Sequence, residues 1–184
     1  MTTLDAAAPD GAVGAGPGEV LATYGDLATD GGAPVGGVLL RLGHSRFCVP
    51  MADVAEVTGL PRVTRLPGAP PWLLGVANWR GRMLPVLDLR PLLGVAVTPL
   101  ASSARLVVVA DTLTGATTAG VVAEAVPGVN DLDGDLAPPP ATMAPDAARL
   151  VAGQLADARG PIAVLDAAAV LELRERVDRR RRAS

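Results

Sequence analysis

The chain has 184 residues, of which 49% are hydrophobic but only four are aromatic. All 16 basic residues are arginine, and the absence of lysine excludes P-loop nucleotide hydrolysis and Schiff-base chemistry, because both need a lysine side chain. One cysteine and one histidine cannot form an internal disulfide or complete a zinc site of Cys and His ligands. We therefore expect no metal and no organic cofactor, and a fold of one or two domains with an aliphatic core.

The first 36 residues, here called the leader, are rich in Ala, Gly, Pro and Asp and show no sustained hydrophobic period, which predicts disorder. Residues 1–18 lack the basic region and the continuous apolar region of a secretory signal. The uncharged stretch 66–79 is 14 residues long and contains three prolines, whereas a membrane helix needs about 20 apolar residues. These features predict a cytoplasmic protein without direct membrane insertion.

Regular structure is predicted to begin at Val38. Val38, Leu40 and Leu42 alternate with other residues, and a turn at 43–45 then leads into the apolar run 46–49, which is a hairpin signal. Further short apolar runs separated by proline and glycine predict strands at 55–58, 62–66, 73–78, 83–87, 105–110, 117–122, 124–131, 149–155 and 161–165. Many short strands at this spacing predict an all-β sandwich or barrel.

Residues 167–177 are predicted to form a C-terminal helix, with the carboxylate of Asp166 capping its first turn. Val170, Leu173 and Val177 share one helix face and are expected to be buried. A second, short helix is predicted at 89–93 and ends before Gly94.

The basic tail, residues 174–184, has six arginines between positions 174 and 182. Such a tail can bind nucleic acid or a membrane surface, or it can be a solvated helix end whose arginines complement the helix dipole. The remainder of the chain is acidic and offers very few aromatic rings for base stacking, so we favour the helix end and expect no nucleic-acid partner.

His44 and Cys48 are the only pair of residues that could imitate a Cys–His nucleophile, because opposite sides of a tight hairpin could bring them together. Cys48, however, lies in an apolar run, where a thiol is usually an inert core side chain. A small Cys/His hydrolase is therefore the remote alternative.

Three aspartates at alternate positions, Asp131, Asp133 and Asp135, resemble the start of a calcium-binding loop. The sixth position of such a loop would be Leu136 instead of Gly, and the twelfth would be Thr142 instead of Glu. We therefore interpret the cluster as an exposed acidic turn.

Glu56 lies in the middle of an apolar strand and would be costly to bury alone. Arg80 can meet such a carboxylate bidentately, and Asn78 lies one strand period before it. The pair could be a structural ion pair between two strands or part of a binding site, and the residue pattern alone favours neither.

The same segment resembles the CheW family of chemotaxis coupling proteins, whose members have a Val-x-Glu element followed by a Gly-Val-x-Asn-x-Arg-Gly-x-x-x-Pro-Val-x-Asp-Leu signature. The matching positions are Val54, Glu56, Gly75, Val76, Asn78, Arg80, Gly81, Pro85, Val86, Asp88 and Leu89. With the downstream strand pattern included, the resemblance extends over about 38–173, all but the leader and the tail.

The resemblance implies two SH3-like, five-stranded β-barrels packed side by side within residues 37–173, with a C-terminal helix. It also implies a non-enzymatic scaffold in the cytoplasm that is recruited to membrane-associated receptor arrays. The implied partners are the cytoplasmic tip of a chemoreceptor (a methyl-accepting chemotaxis protein) and the regulatory domain of the histidine kinase CheA. A CheW-like adaptor of a non-flagellar pathway, serving pilus motility or gene regulation, is the main alternative.

The receptor-binding positions that the resemblance implies are Val54, Glu56, Asn78, Arg80 and Gly81, and no kinase-binding residues can be assigned. The chain departs from the family pattern at Trp79, where an aliphatic residue is usual and where the ring is expected to enlarge a hydrophobic face. Another departure, Glu124 in place of Asp, leaves the role of that strand open.

Overall fold

The computed structural model describes residues 36–111, 118–132 and 135–182, and the side chains as far as residue 177. The predicted disorder of the leader concerns residues that lie almost entirely outside these ranges. Within them the chain forms ten strands and three helices. The strands are β1 (Gly36–Leu42), β2 (Ser45–Pro50), β3 (Val54–Gly59), β4 (Leu73–Trp79), β5 (Arg82–Leu87), β6 (Arg105–Ala110), β7 (Thr118–Ala123), β8 (Ala125–Asp131), β9 (Val151–Leu155) and β10 (Ile162–Leu165). The helices are α1 (Arg90–Leu93), α2 (Pro145–Ala148) and α3 (Ala167–Arg182).

The strands form two five-stranded sheets, with orders β8-β1-β2-β10-β9 and β3-β6-β7-β5-β4. The second sheet uses only the middle of the chain, whereas the first combines strands from both sides of it. All pairings are antiparallel except β2 with β10 and β5 with β7. The predicted all-β fold with two five-stranded units and a C-terminal helix is confirmed.

Strand β6 of the second sheet is buried on both of its faces. Leu106 and Val108 belong to a small hydrophobic cluster inside the second sheet. Val107 and Val109 belong to a larger cluster that also contains residues of the first sheet and of α3. Because successive strand residues point to opposite faces, this uninterrupted apolar strand joins the two clusters.

Helix α3 packs against β6 and β7 of the second sheet, although it follows the last strand of the first. The carboxylate of Asp166 accepts a hydrogen bond from the N–H of Ala169 at 3.0 Å, which confirms the predicted cap. Val170, Leu173 and Val177 are buried as predicted. The helix continues to Arg182, so the arginines at 174–182 lie within its last turns. Among the residues that the structure describes, no helix is long and apolar enough to cross a membrane.

Most local predictions are confirmed, including the β1–β2 hairpin and the short helix α1, which ends at Gly94 with φ 69°. The strand predicted at 62–66 is wrong, because only Thr64 forms a bridge there, to Val76 of β4. Helix α2 was not predicted, since four residues beginning with a proline are too few to show a helical period.

Candidate functional site

The β4–β5 turn carries three of the predicted site residues. Its two central residues, Arg80 and Gly81, have φ angles of 50° and 77°, so the turn belongs to the type that matches the twist of an antiparallel hairpin. The side-chain oxygen of Asn78 accepts a hydrogen bond from the N–H of Gly81 at 2.9 Å. Arg80 is therefore part of the turn, and the strand-period argument that placed it on the same strand face as Asn78 does not hold.

Glu56 accepts two hydrogen bonds on a single carboxylate oxygen, Oε2, which also forms an ion pair with Arg80. The donors are the indole Nε1 of Trp79 at 2.8 Å and Nε of Arg80 at 3.1 Å, and Nη2 of Arg80 lies 2.9 Å from the same oxygen. The Arg80 guanidinium carbon also lies 5.2 Å from the centroid of the Trp79 ring, within the range of a cation–π interaction. These contacts confirm that Glu56 and Arg80 form an ion pair.

This cluster connects the two edges of the second sheet, because Glu56 lies on β3 and Trp79 ends β4. In a flat sheet four strand spacings would separate these edges by about 19 Å, which is beyond the reach of the two side chains. The sheet must therefore curl until its edge strands approach each other, and the hydrogen bonds to Glu56 fasten them at one end.

Four of the five predicted receptor-binding residues, Glu56, Asn78, Arg80 and Gly81, meet around the turn. The fifth, Val54, lies two residues from Glu56 on β3 and packs, partly buried, against the large hydrophobic cluster. Arg80 keeps 65% of its side-chain surface exposed, whereas Glu56 keeps 21%. The site thus has an exposed guanidinium, that of Arg80, and a largely covered carboxylate, that of Glu56, which both Trp79 and Arg80 hold in place.

Trp79 is a site residue that the sequence interpretation underestimated. We expected its ring only to enlarge a hydrophobic face, but its N–H is a donor to Glu56. A tryptophan can supply a polar N–H as well as apolar area, but Trp79 and Glu56 are 23 residues apart, so the sequence carries no signal that pairs them.

A second polar cluster surrounds Arg90, which is 2% exposed. Its Nε and Nη2 donate to the two carboxylate oxygens of Asp88 at 2.9 and 2.8 Å. Its Nη1 donates to Glu124 Oε1 and to the backbone oxygen of Thr98, both at 2.9 Å. The hydrogen bond with Asp88 raises the pKa of Arg90 above its ordinary value and outweighs the opposing effect of burial.

Glu124 joins the two sheets through this cluster. Its carboxylate accepts from Arg90, which follows the second sheet's β5, and lies 3.6 Å from Arg41 on β1 of the first sheet. Its backbone N–H also donates to the carbonyl of Arg41 at 3.1 Å. These contacts give Glu124, whose role the sequence left open, a structural role. The sequence did not predict its pairing with Arg90, because the two residues are 34 positions apart.

The His44–Cys48 pair does not form a nucleophile. His44 is exposed in the β1–β2 turn, whereas Cys48 is buried on β2 opposite Leu39. The strand rise places them about 10 Å apart along the hairpin. Burial raises the pKa of the Cys48 thiol to about 12, so the thiolate needed for attack does not form at neutral pH.

The acidic cluster predicted as an exposed turn lies only partly within the described residues. Asp131 ends β8 and Asp135 is exposed, while Asp133 lies outside the described ranges. Within the part of the chain that the structure describes, no group of three or more Cys, His, Asp or Glu side chains is arranged to hold a metal ion.

Comparison with known proteins matches residues 36–175 to the family model described as CheW-like domain. The chain is 47% identical to Protein PilI of Pseudomonas aeruginosa over 73 residues, which are 40% of this chain and 41% of PilI. It is 39% identical to Protein FrzA of Myxococcus xanthus over 101 residues, 54% of this chain and 61% of FrzA. It is 38% identical to the probable chemotaxis protein CheW of Rhizobium etli over 72 residues, 39% of this chain and 45% of that protein. The chain thus matches about two fifths to three fifths of these relatives' lengths.

Among solved structures, the scaffolding protein TtCheW from Thermoanaerobacter tengcongensis superposes with a TM-score of 0.65 at 25% identity. The superposition covers 73% of this chain and 85% of TtCheW. Fold and sequence together define an all-β protein of two joined five-stranded sheets. Because the family model matches more than half of the sequence, the chain belongs to the CheW family, as its motifs indicated.

Proposed function

We propose that this protein is a non-enzymatic scaffold that joins the cytoplasmic tip of a chemoreceptor to the regulatory domain of the histidine kinase CheA. The observation that carries the proposal is the match of residues 36–175 to the CheW-like domain. The superposition on a protein named as a scaffold supports it. In this role the protein acts in the cytoplasm and is recruited to membrane-associated receptor arrays.

The scaffold works by bivalency. One surface binds the receptor and another binds the kinase, and linkage raises the local concentration of each partner without any chemical step. The receptor surface contains Val54, Glu56, Asn78, Arg80 and Gly81, and a receptor helix packs there in the manner of a helix in a groove. Arg80 supports this assignment because its guanidinium is exposed while two of its nitrogens are already fixed on Glu56.

The test is a pull-down of the full chain with a receptor cytoplasmic fragment and with CheA from the same organism. We expect a ternary complex, and we expect Arg80→Ala to reduce receptor capture while CheA capture remains. The substitution should cost little stability, about 0.5 kcal/mol, because exposed ion pairs contribute little.

Arg149→Ala is the matched control, because Arg149 is an exposed arginine on the first sheet's side of the molecule, next to α2. It should bind both partners as the unmodified chain does. Equal receptor capture by Arg80→Ala and the unmodified chain would remove the turn from the receptor surface. Binding of neither partner by the unmodified chain would refute the chemotaxis function and leave the fold assignment intact.

A second candidate is a CheW-like adaptor of a non-flagellar pathway, such as pilus motility or gene regulation. It is supported by relatives named PilI and FrzA, which are 47% and 39% identical over their matched regions. Deleting the gene distinguishes the two candidates. Loss of swimming chemotaxis supports the first, whereas loss of pilus-driven movement or of a transcriptional response, with swimming chemotaxis intact, supports the second.

A further inference from the structure

A cleft of about 510 Å³ lies between the first sheet and the segment that follows α1. Three neighbouring strands each contribute one residue to its floor: Phe47 on β2, Ala163 on β10 and Gln154 on β9. Ala163 is paired with both of the others, and paired residues of neighbouring strands point to the same face of a sheet. The three side chains therefore share the sheet face that packs toward the second sheet.

The opposite wall of the cleft comes from the end of α1 and the residues after it, 93–96, together with Met143 before α2. Val95 is held in this wall because its N–H donates to the carbonyl of Arg90 at 2.9 Å. It also approaches the β1–β2 turn so closely that a Cβ on Gly43 would lie 2.9 Å from its Cγ1. The cleft is thus a preformed space with fixed walls, and its volume is within the range of small-molecule sites.

Gln154 places a polar group on the floor of this cleft. Its backbone is paired with Ala163 on one side and exchanges two hydrogen bonds of 2.7 and 2.9 Å with Ala137 on the other. Its half-buried side-chain amide forms no hydrogen bond with any other residue that the structure describes. The two N–H groups of this amide are therefore free to donate to a ligand in the cleft.

The rim of the cleft is basic. His44, Arg46 and Arg159 belong to it, and among the described residues no aspartate or glutamate lines the cleft. The carboxylate of Asp157 is already occupied, since its Oδ1 accepts from Nη1 of Arg46 at 2.6 Å and from the N–H of Arg159 at 2.9 Å. The Arg159 side chain is exposed and forms no hydrogen bond or ion pair with the described part of the chain. Its guanidinium is thus available to an anion at the rim.

We propose that this cleft binds a small amphipathic carboxylate, that is, a carboxylate with a short apolar chain. The apolar chain lies between Phe47 on the floor and Val95 and Met143 on the opposite wall. The carboxylate accepts hydrogen bonds from Gln154 and Arg159. The residues assigned to the receptor do not line the cleft, so the proposal does not depend on the scaffold function.

The test is a titration of the full chain with octanoate, below its micelle concentration, followed by two-dimensional amide NMR. We expect saturable shifts of the amide signals of His44, Ala96 and Gly160 with one dissociation constant, and unchanged signals of Asn78 and Gly81. Octanol has the apolar chain without the charge, and acetate has the charge without the chain. Each should bind at least about tenfold more weakly than octanoate, because each lacks one of the two kinds of contact.

Two pairs of variants make the test specific. Ala96→Glu should weaken octanoate binding by at least about tenfold, because it adds a like charge and bulk to the cleft. Ala52→Glu is its control, since Ala52 is also exposed but lies in the 3-10 turn Met51–Asp53, outside the cleft. Arg159→Gln should weaken binding about threefold through the loss of one exposed charge contact, whereas Arg149→Gln, at an exposed arginine outside the cleft, should not.

The absence of saturable shifts at the cleft would overturn the proposal. Equal binding of octanol and octanoate would also overturn it, because the carboxylate would then make no specific contact. Equal weakening by Ala96→Glu and Ala52→Glu would show that octanoate binds elsewhere on the protein.

Discussion

Glu56 illustrates at the scale of single residues how a carboxylate in an apolar strand is accommodated. One of its oxygens accepts from both Trp79 and Arg80, and the remaining exposure of the side chain is 21%. Hydrogen bonds to a charged group are stronger than those between neutral groups, so each donor adds to the cost of separating β3 from the β4–β5 turn.

Trp79→Phe tests the contribution of the indole N–H. The substitution retains most of the ring's packing area but removes the donor to Glu56, so we expect a loss of about 1 kcal/mol in the free energy of unfolding. Urea denaturation followed by circular dichroism measures it. Trp72→Phe is the control, because the indole of Trp72 is also half-buried and donates no hydrogen bond to any described residue. Equal losses in the two variants would show that the N–H contributes nothing.

At the scale of elements, the edge strand β4 is partly covered by the connection that precedes it. Thr64 and Val76 exchange two backbone hydrogen bonds of 2.8 and 2.9 Å. Gly75 permits this approach, since a Cβ at that position would lie 2.2 Å from the carbonyl oxygen of Thr64. Its φ of 149° is also one that other residues rarely adopt. The glycine of the family signature is thus explained by a backbone contact.

Gly75→Ala should therefore break the bridge at Thr64. We expect a destabilisation of roughly 2 to 4 kcal/mol, because steric overlap and backbone strain add together. Gly59→Ala on the opposite edge strand is the control, since a Cβ there would meet nothing within 4 Å, and it should change stability by no more than about 0.5 kcal/mol. Thermal and urea unfolding of both variants measure the difference, and similar stabilities would contradict this explanation.

At the scale of the whole molecule, two kinds of contact hold the two sheets together: apolar packing and polar contacts. The large hydrophobic cluster combines residues of both sheets with the buried face of α3. The polar contacts converge on Glu124, which reaches Arg90 on one side and Arg41 on the other. The first kind of contact is non-directional, whereas the second specifies an orientation.

Glu124→Ala should leave one donor of the buried Arg90 short of a partner. We expect a loss of about 2 kcal/mol in unfolding free energy, and faster hydrogen exchange at β7 and β8, which flank residue 124. The control is Arg41→Ala. The Arg41 side chain is 51% exposed and its guanidinium lies 3.6 Å from the Glu124 carboxylate, so its removal should cost less than about 0.5 kcal/mol. Equal losses of stability in Glu124→Ala and Arg41→Ala would show that the hydrogen bond between Arg90 and Glu124 does not stabilise the fold more than the exposed ion pair.

Much of the fold and part of the candidate site could be predicted from local patterns. Alternation and turn residues identified the β1–β2 hairpin, and helical periodicity with Asp166 identified the beginning and the buried face of α3. The unusual position of Glu56 in an apolar strand was enough to predict its pairing with Arg80. Each of these inferences depends on residues that are close in sequence, or on a charge whose burial requires a partner.

The remaining features depended on contacts between distant segments. Residues 62–66 have the composition of a strand, yet only Thr64 pairs, because β4 accepts the connection at a single bridge. Arg80 follows strand spacing in the sequence, but the hairpin turn gives it a positive φ. Sequence alone therefore determined the class of fold, the family and the residues of the β4–β5 turn, since these depend on local periodicity and a contiguous motif. Only the tertiary structure could decide that Trp79 donates to Glu56 and that Glu124 joins the two sheets, because the curvature of a sheet and the packing between sheets bring together residues that no local pattern relates.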